Sequence, residues 1–372
     1  MPELPEVESA RALCEEHCLG ATVVGVAFLE DGSFDEKIFA GTTAKAFKAA
    51  LMGRTLGVAR RLGKHMWWEM HGGGAKTPES LSPLFHFGMT GAMSVKGEGA
   101  SKYKSFVVDT SSWPPRFAKL VVTFDNGVSL AYTDPRRFGR VRLVAGDVEA
   151  SPPISDLGFD PLLAMPPDAE FAAMYAARAT PIKAALLDQK IAAGVGNWIA
   201  DEVLYHAGVH PETRAKDLSR AQLSEIRRAM GFVVETACRA GADAELFPSD
   251  WLFHHRWGKV AGKVGGKPIS FITVGGRTTA FVAAVQKKGD ASAAKAKARA
   301  TKAADTEVGK RTARREVKTA APPPKKAKKA PPVVRVTPAA KKVAPAKRRA
   351  PPKRAAPPKR AAPPKARAAR VR

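Results

Sequence analysis

Apolar residues recur every three to four positions at the start of this chain. Val7, Ala10, Cys14 and Cys18 fall on one face, Pro5 suits a first helical turn, and Gly20 supplies a stop. The spacing predicts a helix. Between residues 20 and 145 the period shortens to two in bursts such as "ATVVGVAF", "HMWWEM", "KLVVTFDNGVSLAYT" and "GRVRLV", cut by Gly, Pro and Asp. Asn126-Gly127 between two apolar runs predicts a hairpin. This part is expected to be a β-sandwich or barrel carrying the first helix. Prolines and acids break the pattern at "EASPPISDLGFDPLLAMPPD", which marks a domain boundary.

From Asp168 to Ala242 the apolar spacing returns to about 3.6 in "DAEFAAMYAAR", "TPIKAALLDQK", "NWIADEVLYHAG" and "SRAQLSEIRRAMGFVVETACRAG". Two of these helices are joined by "AAGVGN", where Asn197 is expected to cap a helix beginning at Trp198, with Asp201 and Glu202 in its early turns. Gly194 and Gly196 leave backbone N–H groups unshielded, so the turn suits either a phosphate grip or a plain connector. Between Trp251 and Gln286 the pattern is β again, with Gly265-Gly266 and Gly275-Gly276 as turns. The expected class is α+β. Its parts are an N-terminal β-sandwich domain over 1–150, a helical domain over 151–250, a small hairpin module over 251–286 and a tail over 287–372.

Charge sharpens this division. The net charge is +26, and the tail holds 29 of the 61 Lys and Arg against 4 of the 35 Asp and Glu, so the body is nearly neutral. The tail repeats Ala-Pro-Pro-Lys-Arg without an aromatic residue and is expected to be disordered. A polycation of this density binds polyanions by counterion release, nucleic acid foremost, although a solubilising role would need no partner. "KKAKK" and "KRRAPPKR" fit nuclear import signals, which sets the expected compartment as the nucleus. No apolar run reaches membrane-spanning length, and acids among the first eight residues argue against a targeting peptide. Cys14, Cys18 and Cys238 form neither a disulfide framework nor a ligand pattern, as expected of a reducing compartment.

The opening "MPELPEVE" holds the densest candidate chemistry. Pro5 and Glu6 are explained by a helix start, but Pro2 and Glu3 are not. Together with "RRLGKHMWWEM", "HFGMTG", "YTDPRRFG", "IKAALLDQK", "GVGNWIADEVLY" and "GGRTTAF", in this order over nearly the whole body, it resembles the formamidopyrimidine-DNA glycosylase / endonuclease VIII family, most closely its plant-type branch.

The resemblance implies a bifunctional glycosylase and AP lyase of base excision repair, working as a monomer on damaged duplex DNA without a cofactor. It implies that the helical domain is of the helix-two-turn-helix type. With Met1 removed, Pro2 would be a secondary amine able to attack the anomeric carbon and leave an iminium. Glu3 would move protons at the sugar ring oxygen, with Glu6 in support. Lys64 would contact the phosphate beside the lesion and assist β-elimination, and Arg277, at the tip of a hairpin finger, would assist δ-elimination. Asn197 and Lys183 would hold the same backbone. Arg178 and Lys119 match DNA-contact positions more weakly, and solvated surface charges fit them as well. Met89, Arg136 and Phe138 match a trio that fills the space left by an extruded base, though Phe138 also suits a core.

The chain departs from the bacterial pattern twice. Four zinc-binding cysteines of bacterial members fall at Gly262, Gly265, Val282 and Val285, so a zincless finger is expected, held by Phe271, Ile272, Phe281 and the strand ladder. His254-His255 alone supplies no substitute shell. Between "AGADAELFPSDW" and "HHRWGK" there is little room for the loop that covers a flipped 8-oxoguanine. The resemblance to plant-type members, which share this arrangement, implies ring-opened purines and further-oxidised guanine products as substrates more than 8-oxoguanine itself. The tail is expected to contact DNA without sequence preference or to bind other repair proteins. A non-catalytic chromatin protein acting through a linker-histone-like tail is one competing reading, and it would not need Pro2, Glu3, Lys64 and Arg277 together; an RNA binder is another, against which "RRFG" and "GVGN" match duplex-DNA contacts and no aromatic-rich RNA platform is visible.

Overall fold

The computed structural model describes residues 1–28, 34–72, 81–100, 107–260 and 262–288. The first helix, α1 (Leu4–Cys18), buries Val7, Ala10, Cys14 and Cys18 as the spacing predicts, and Gly20 follows it at positive φ. Strands β1 (Val23–Ala27), β2 (Thr55–Leu62), β3 (His65–His71), β4 (Leu81–His86), β5 (Ala92–Val95), β6 (Gly99–Ala100), β7 (Ala118–Phe124), β8 (Ser129–Thr133) and β9 (Arg140–Ala145) come next. They form two antiparallel sheets, β1-β7-β8-β5-β6 and β2-β3-β4-β9. One core that includes Leu56, Trp68, Phe85, Leu120 and Leu130 joins side chains of both sheets to the α1 stripe. β7 and β8 pair antiparallel through Asn126-Gly127, with Gly127 at φ +83° donating to the Phe124 carbonyl.

The alternating pattern concealed one helix, α2 (Ala44–Leu51). Thr43 caps it by accepting from Ala46 N at 3.2 Å, and Phe47, Ala50 and Leu51 are its buried face. At eight residues it offers barely two turns of periodicity, too few to stand out from the surrounding strands.

Helices α3 (Asp168–Ala176), α4 (Ile182–Leu186), α5 (Asn197–His206) and α6 (Arg220–Arg239) follow the break. Ser219 and Gln222 cap α6 reciprocally. Trp198, Val203, Met230, Val233 and Trp251 fill this second core, and Leu4 packs into it. Leu4 thus belongs to the helical core while Val7, one turn later, belongs to the sheet core. The N-terminus therefore lies on the seam between the two halves of the body.

The last segment is a pair of two-stranded ribbons, β10 (Lys263–Val264) with β11 (Lys267–Pro268), and β12 (Ser270–Val274) with β13 (Arg277–Phe281). Leu252, Val264, Ile269, Ala280 and Val282 form its cluster, with Phe271 against it. Ile272, expected to help hold the module, is outside that cluster, and Phe281 packs instead on the His210 ring at 4.8 Å. Buried Gln286 closes the segment, accepting from Val282 N at 2.8 Å and donating to the Val209 carbonyl at 3.0 Å. The tail from 289 onward lies outside the described residues. No described helix is long and apolar enough to cross a membrane.

Candidate active site at the N-terminus

Glu3 reaches across the seam and caps α5. Its Oε1 accepts from Trp198 N at 3.0 Å and its Oε2 from Ile199 N at 3.1 Å. Two N–H groups and the positive end of the helix thus hold a carboxylate that is almost completely buried. The expectation that Asn197 caps this helix is overturned. Gly196 is the cap residue, with no side-chain cap of the helix's own, and a Cβ there would lie 2.1 Å from Glu3 Cδ. Only glycine lets the carboxylate approach.

Glu6 supports Glu3 in turn. Its Oε2 accepts from Glu3 N at 2.9 Å and its Oε1 from Trp198 Nε1 at 3.1 Å. Burial, reinforced by the neighbouring Glu3 charge, raises its carboxyl pKa to about 7. The Met1 α-amino group lies in the field of Glu3, Glu6, Lys64 and Arg136, and burial lowers its pKa against the pull of the two carboxylates. Pro2, one residue on, is buried.

Lys64 enters from the turn between β2 and β3 and donates to the Val195 carbonyl at 3.0 Å. Burial lowers its pKa, the Arg277 charge adds to the effect, and Glu3 and Glu6 oppose it. The turn is fixed from below. Asp160 accepts from Arg61 Nη2 at 3.2 Å and from Gly63 N at 2.8 Å, while Arg61 Nε donates to Glu8 at 2.7 Å. On the other side Gln189 donates to the same Val195 carbonyl at 2.8 Å and accepts from Gly194 N at 3.0 Å, shaping the Gly-Val-Gly-Asn turn.

Arg277 is exposed where Gly275-Gly276 turns β12 into β13. Behind it the Thr278 carbonyl accepts from Asn197 Nδ2 at 3.0 Å and Lys183 Nζ at 3.4 Å. Lys183, expected on the DNA backbone, is completely buried and paired with Asp201, so it braces the ribbon instead. Lys119 is corrected likewise. Its side chain is 1% exposed, with Nζ 3.8 Å from Asp35, and presents no surface to a duplex. Arg178, about two-fifths exposed, pairs with Asp188 at 3.1 Å.

Met89, Arg136 and Phe138 come together on two touching loops. A Cβ on Gly88 would lie 2.4 Å from the Phe138 carbonyl carbon, so the Met89 turn packs on the backbone of the other loop. Asp134 ties them, accepting from Thr90 Oγ1 at 2.7 Å and Gly139 N at 2.7 Å. Phe138 is 45% exposed, with the Arg136 guanidinium 5.0 Å and Lys37 Nζ 5.6 Å from its ring centre. An exposed aromatic flanked by two cations is not a core residue.

Three family models match the chain in series: the formamidopyrimidine-DNA glycosylase N-terminal domain over 1–141, its H2TH domain over 157–247 and the formamidopyrimidine-DNA glycosylase-like C-terminal domain over 251–283. The chain belongs to the formamidopyrimidine-DNA glycosylase family. It is 44% identical to the Arabidopsis thaliana formamidopyrimidine-DNA glycosylase over 290 residues, which cover 77% of this chain and 71% of that protein. A Gluconobacter oxydans formamidopyrimidine-DNA glycosylase is 30% identical, covering 77% of this chain and its own whole length. Among solved structures, a mutant Lactococcus lactis glycosylase in complex with Fapy-dG-containing DNA superposes with a TM-score of 0.61 at 25% identity. It matches 77% of this chain and all of its own. The Thermus thermophilus enzyme gives 0.59 at 28%, over 78% of this chain and all of its own.

Within this glycosylase fold, Glu3, Glu6, Lys64 and Arg136 surround the N-terminus, and the charge of Arg277 reaches Lys64. The side chains at Gly262, Gly265, Val282 and Val285, where bacterial cysteines are expected to align, carry no metal-binding atom, and Val282 is packed in the ribbon cluster. No group of three or more metal-binding side chains occurs among the described residues. His254 Nε2 instead lies 3.1 Å from the Pro248 carbonyl. Sequence reasoning passed over Asp160, Gln189 and Arg256, and treated Asp201 as a helix-start acid. For Asp160 and Asp201 the available signal was an acid inside a largely apolar stretch; nothing local marks Gln189 or Arg256.

Proposed function

We propose that this chain is a bifunctional DNA glycosylase and AP lyase acting on oxidised purines in duplex DNA. The observation that carries the reading is Glu3, held by two α5 amides on the same seam as the N-terminus, with Lys64 beside it. Once Met1 is removed, Pro2 N attacks C1′ of the extruded nucleotide and displaces the base, which leaves with the electrons of its bond to C1′ and takes a proton from water; Glu3 then carries the Pro2 N–H proton to the ring oxygen as the C1′–O4′ bond breaks. The product is a ring-opened iminium. Loss of a C2′ proton and of the 3′ phosphate completes β-elimination, with Lys64 beside the departing phosphate. Loss of the 5′ phosphate, assisted by Arg277, completes δ-elimination, and water releases Pro2. Met89, Arg136 and Phe138 fill the space the base leaves.

Ring-opened formamidopyrimidines and further-oxidised guanines are the favoured substrates, 8-oxoguanine the weaker one. The protein acts as a monomer in the nucleus, without zinc, and its tail holds undamaged DNA. The test is incubation of protein lacking Met1 with duplexes bearing each lesion under borohydride, followed by peptide mapping. The expected adduct sits on Pro2 and is abolished by a tag left ahead of it. An adduct on a lysine, or none with any lesion, overturns the assignment.

A further inference from the structure

The ribbon that carries Arg277 is anchored by a buried charge cluster with an excess of cation. The Asp201 carboxylate, 1% exposed, accepts from Lys183 through Oδ1, and through Oδ2 from Arg256 Nη2 at 2.6 Å, Arg256 Nε at 3.2 Å and Ala280 N at 3.2 Å. Lys183 lies on α4, Asp201 on α5, Arg256 just ahead of the ribbons and Ala280 on β13. One carboxylate therefore ties four segments. Asn197 and Lys183 grip the Thr278 carbonyl immediately after Arg277, and a Cβ on Gly275 would lie 3.2 Å from Ala184 Cβ on α4. The ribbon tip is thus held on both sides of Arg277.

An ion cluster is a poor choice for stability alone, since desolvating three charges offsets most of their attraction and an apolar cluster already packs this ribbon. Its advantage is direction. Carboxylate and guanidinium bond only in fixed geometries, so they set the register of β13 over α5 where apolar packing would tolerate a slip. We infer that Asp201, with Lys183 and Arg256, is a positioning device that delivers Arg277 to the sugar-phosphate, doing by ion pairing what the four substituted positions cannot do by metal ligation. The inference rests on the proposed role of Arg277 in the second strand scission.

The test uses full-length protein on a duplex with a preformed abasic site and measures the ratio of δ- to β-elimination product, with base release from a lesion duplex as reference. R277A defines the ratio without the fingertip cation. Asp201→Asn, which cannot accept on both sides, is expected to lower the ratio about tenfold towards that of R277A, because misplacement by an ångström costs that much or more, while base release falls by less. Lys183→Met leaves a neutral Asp201–Arg256 pair, safeguards folding, and is expected to lower the ratio partly. A parental ratio in a folded D201N or K183M protein, where R277A changes it, overturns the inference. A parental ratio in R277A itself overturns the reading of Arg277 instead, which keeps the two failures distinct.

Discussion

Glu3 caps a helix that begins far along the chain, its carboxylate bonded to Trp198 N at 3.0 Å across a separation of 195 residues. One group thus docks the N-terminal segment on the helical half and fixes the proposed proton carrier beside the N-terminus. A carboxyl group held there by two amides is placed to carry a proton and to offset positive charge on a sugar.

That arrangement depends on Gly196. Gly196→Ala would press a methyl group into the Glu3 carboxylate, where 2.1 Å is far inside contact distance. Base release is expected to fall about a hundredfold, since the shift displaces the proton carrier, and stability by about 1 kcal/mol for the weakened cap. Single-turnover excision and thermal melting measure the two effects. Excision at the parental rate would show that Glu3 does not need this position.

Glu6 gives the fold a pH dependence of unusual sign. Its pKa rises from an ordinary carboxylate value near 4.5 to about 7 in the folded state, so the folded protein keeps a proton that the unfolded chain releases between those values. This contribution to stability is complete below about pH 4.5 and is lost as pH rises through 7, at ~1.4 kcal/mol per unit. Glu6→Gln, neutral throughout, is expected to flatten melting temperature against pH across this window. Parallel curves for the two proteins would contradict it.

Asp160 is expected to support both stability and the Lys64 turn. The Arg61 and Asp160 side chains are completely buried, and Asp160→Asn would leave the guanidinium with the Glu8 carboxylate and the Gly63 carbonyl. A loss of about 3 kcal/mol in urea denaturation is expected, from breaking a buried ion pair. Cleavage at abasic sites should fall more than base release, because Lys64 sits one residue beyond the tethered Gly63.

Metal removal should leave this protein unchanged. With Gly262, Gly265, Val282 and Val285 offering no ligand, chelators are expected to alter neither melting nor excision, whereas Val282→Ala should cost ~2 kcal/mol by opening the ribbon cluster. One zinc per purified chain would refute this.

Much of the fold was legible because its signals are local. The α1 stripe, the Asn126-Gly127 turn and the four helices after Asp168 each announce themselves within a few residues. Long-range pairing was not. Lys119 and Lys183 read as free cations, since nothing near them in sequence marks Asp35 or Asp201 as their partners. Asn197 read as a cap because cap preference is local, whereas the true cap comes from Glu3. The gathering of Glu3, Lys64 and Arg136 around the N-terminus could not be read from single residues, because motif spacing along the chain says nothing of a seam.

The tail is expected to separate affinity from chemistry. From residue 287 onward it carries a net charge of +25, while the rest of the chain is almost neutral, so the salt-sensitive part of DNA affinity is expected to reside there. The point of truncation matters. Gln286 locks Val282 and Val209, and Lys288 pairs with Glu212 at 2.9 Å, so a cut after Lys288 spares both, where one ahead of Gln286 would release the ribbon. The truncated protein should bind undamaged duplex about tenfold or more weakly at low salt, with a shallower dependence of log affinity on log salt, because each phosphate neutralised steepens that slope by about 0.9. Single-turnover excision at saturating enzyme should be nearly unchanged. Unaltered affinity and slope would assign the tail another role, and normal binding with lost cleavage would place part of the catalytic body beyond Lys288.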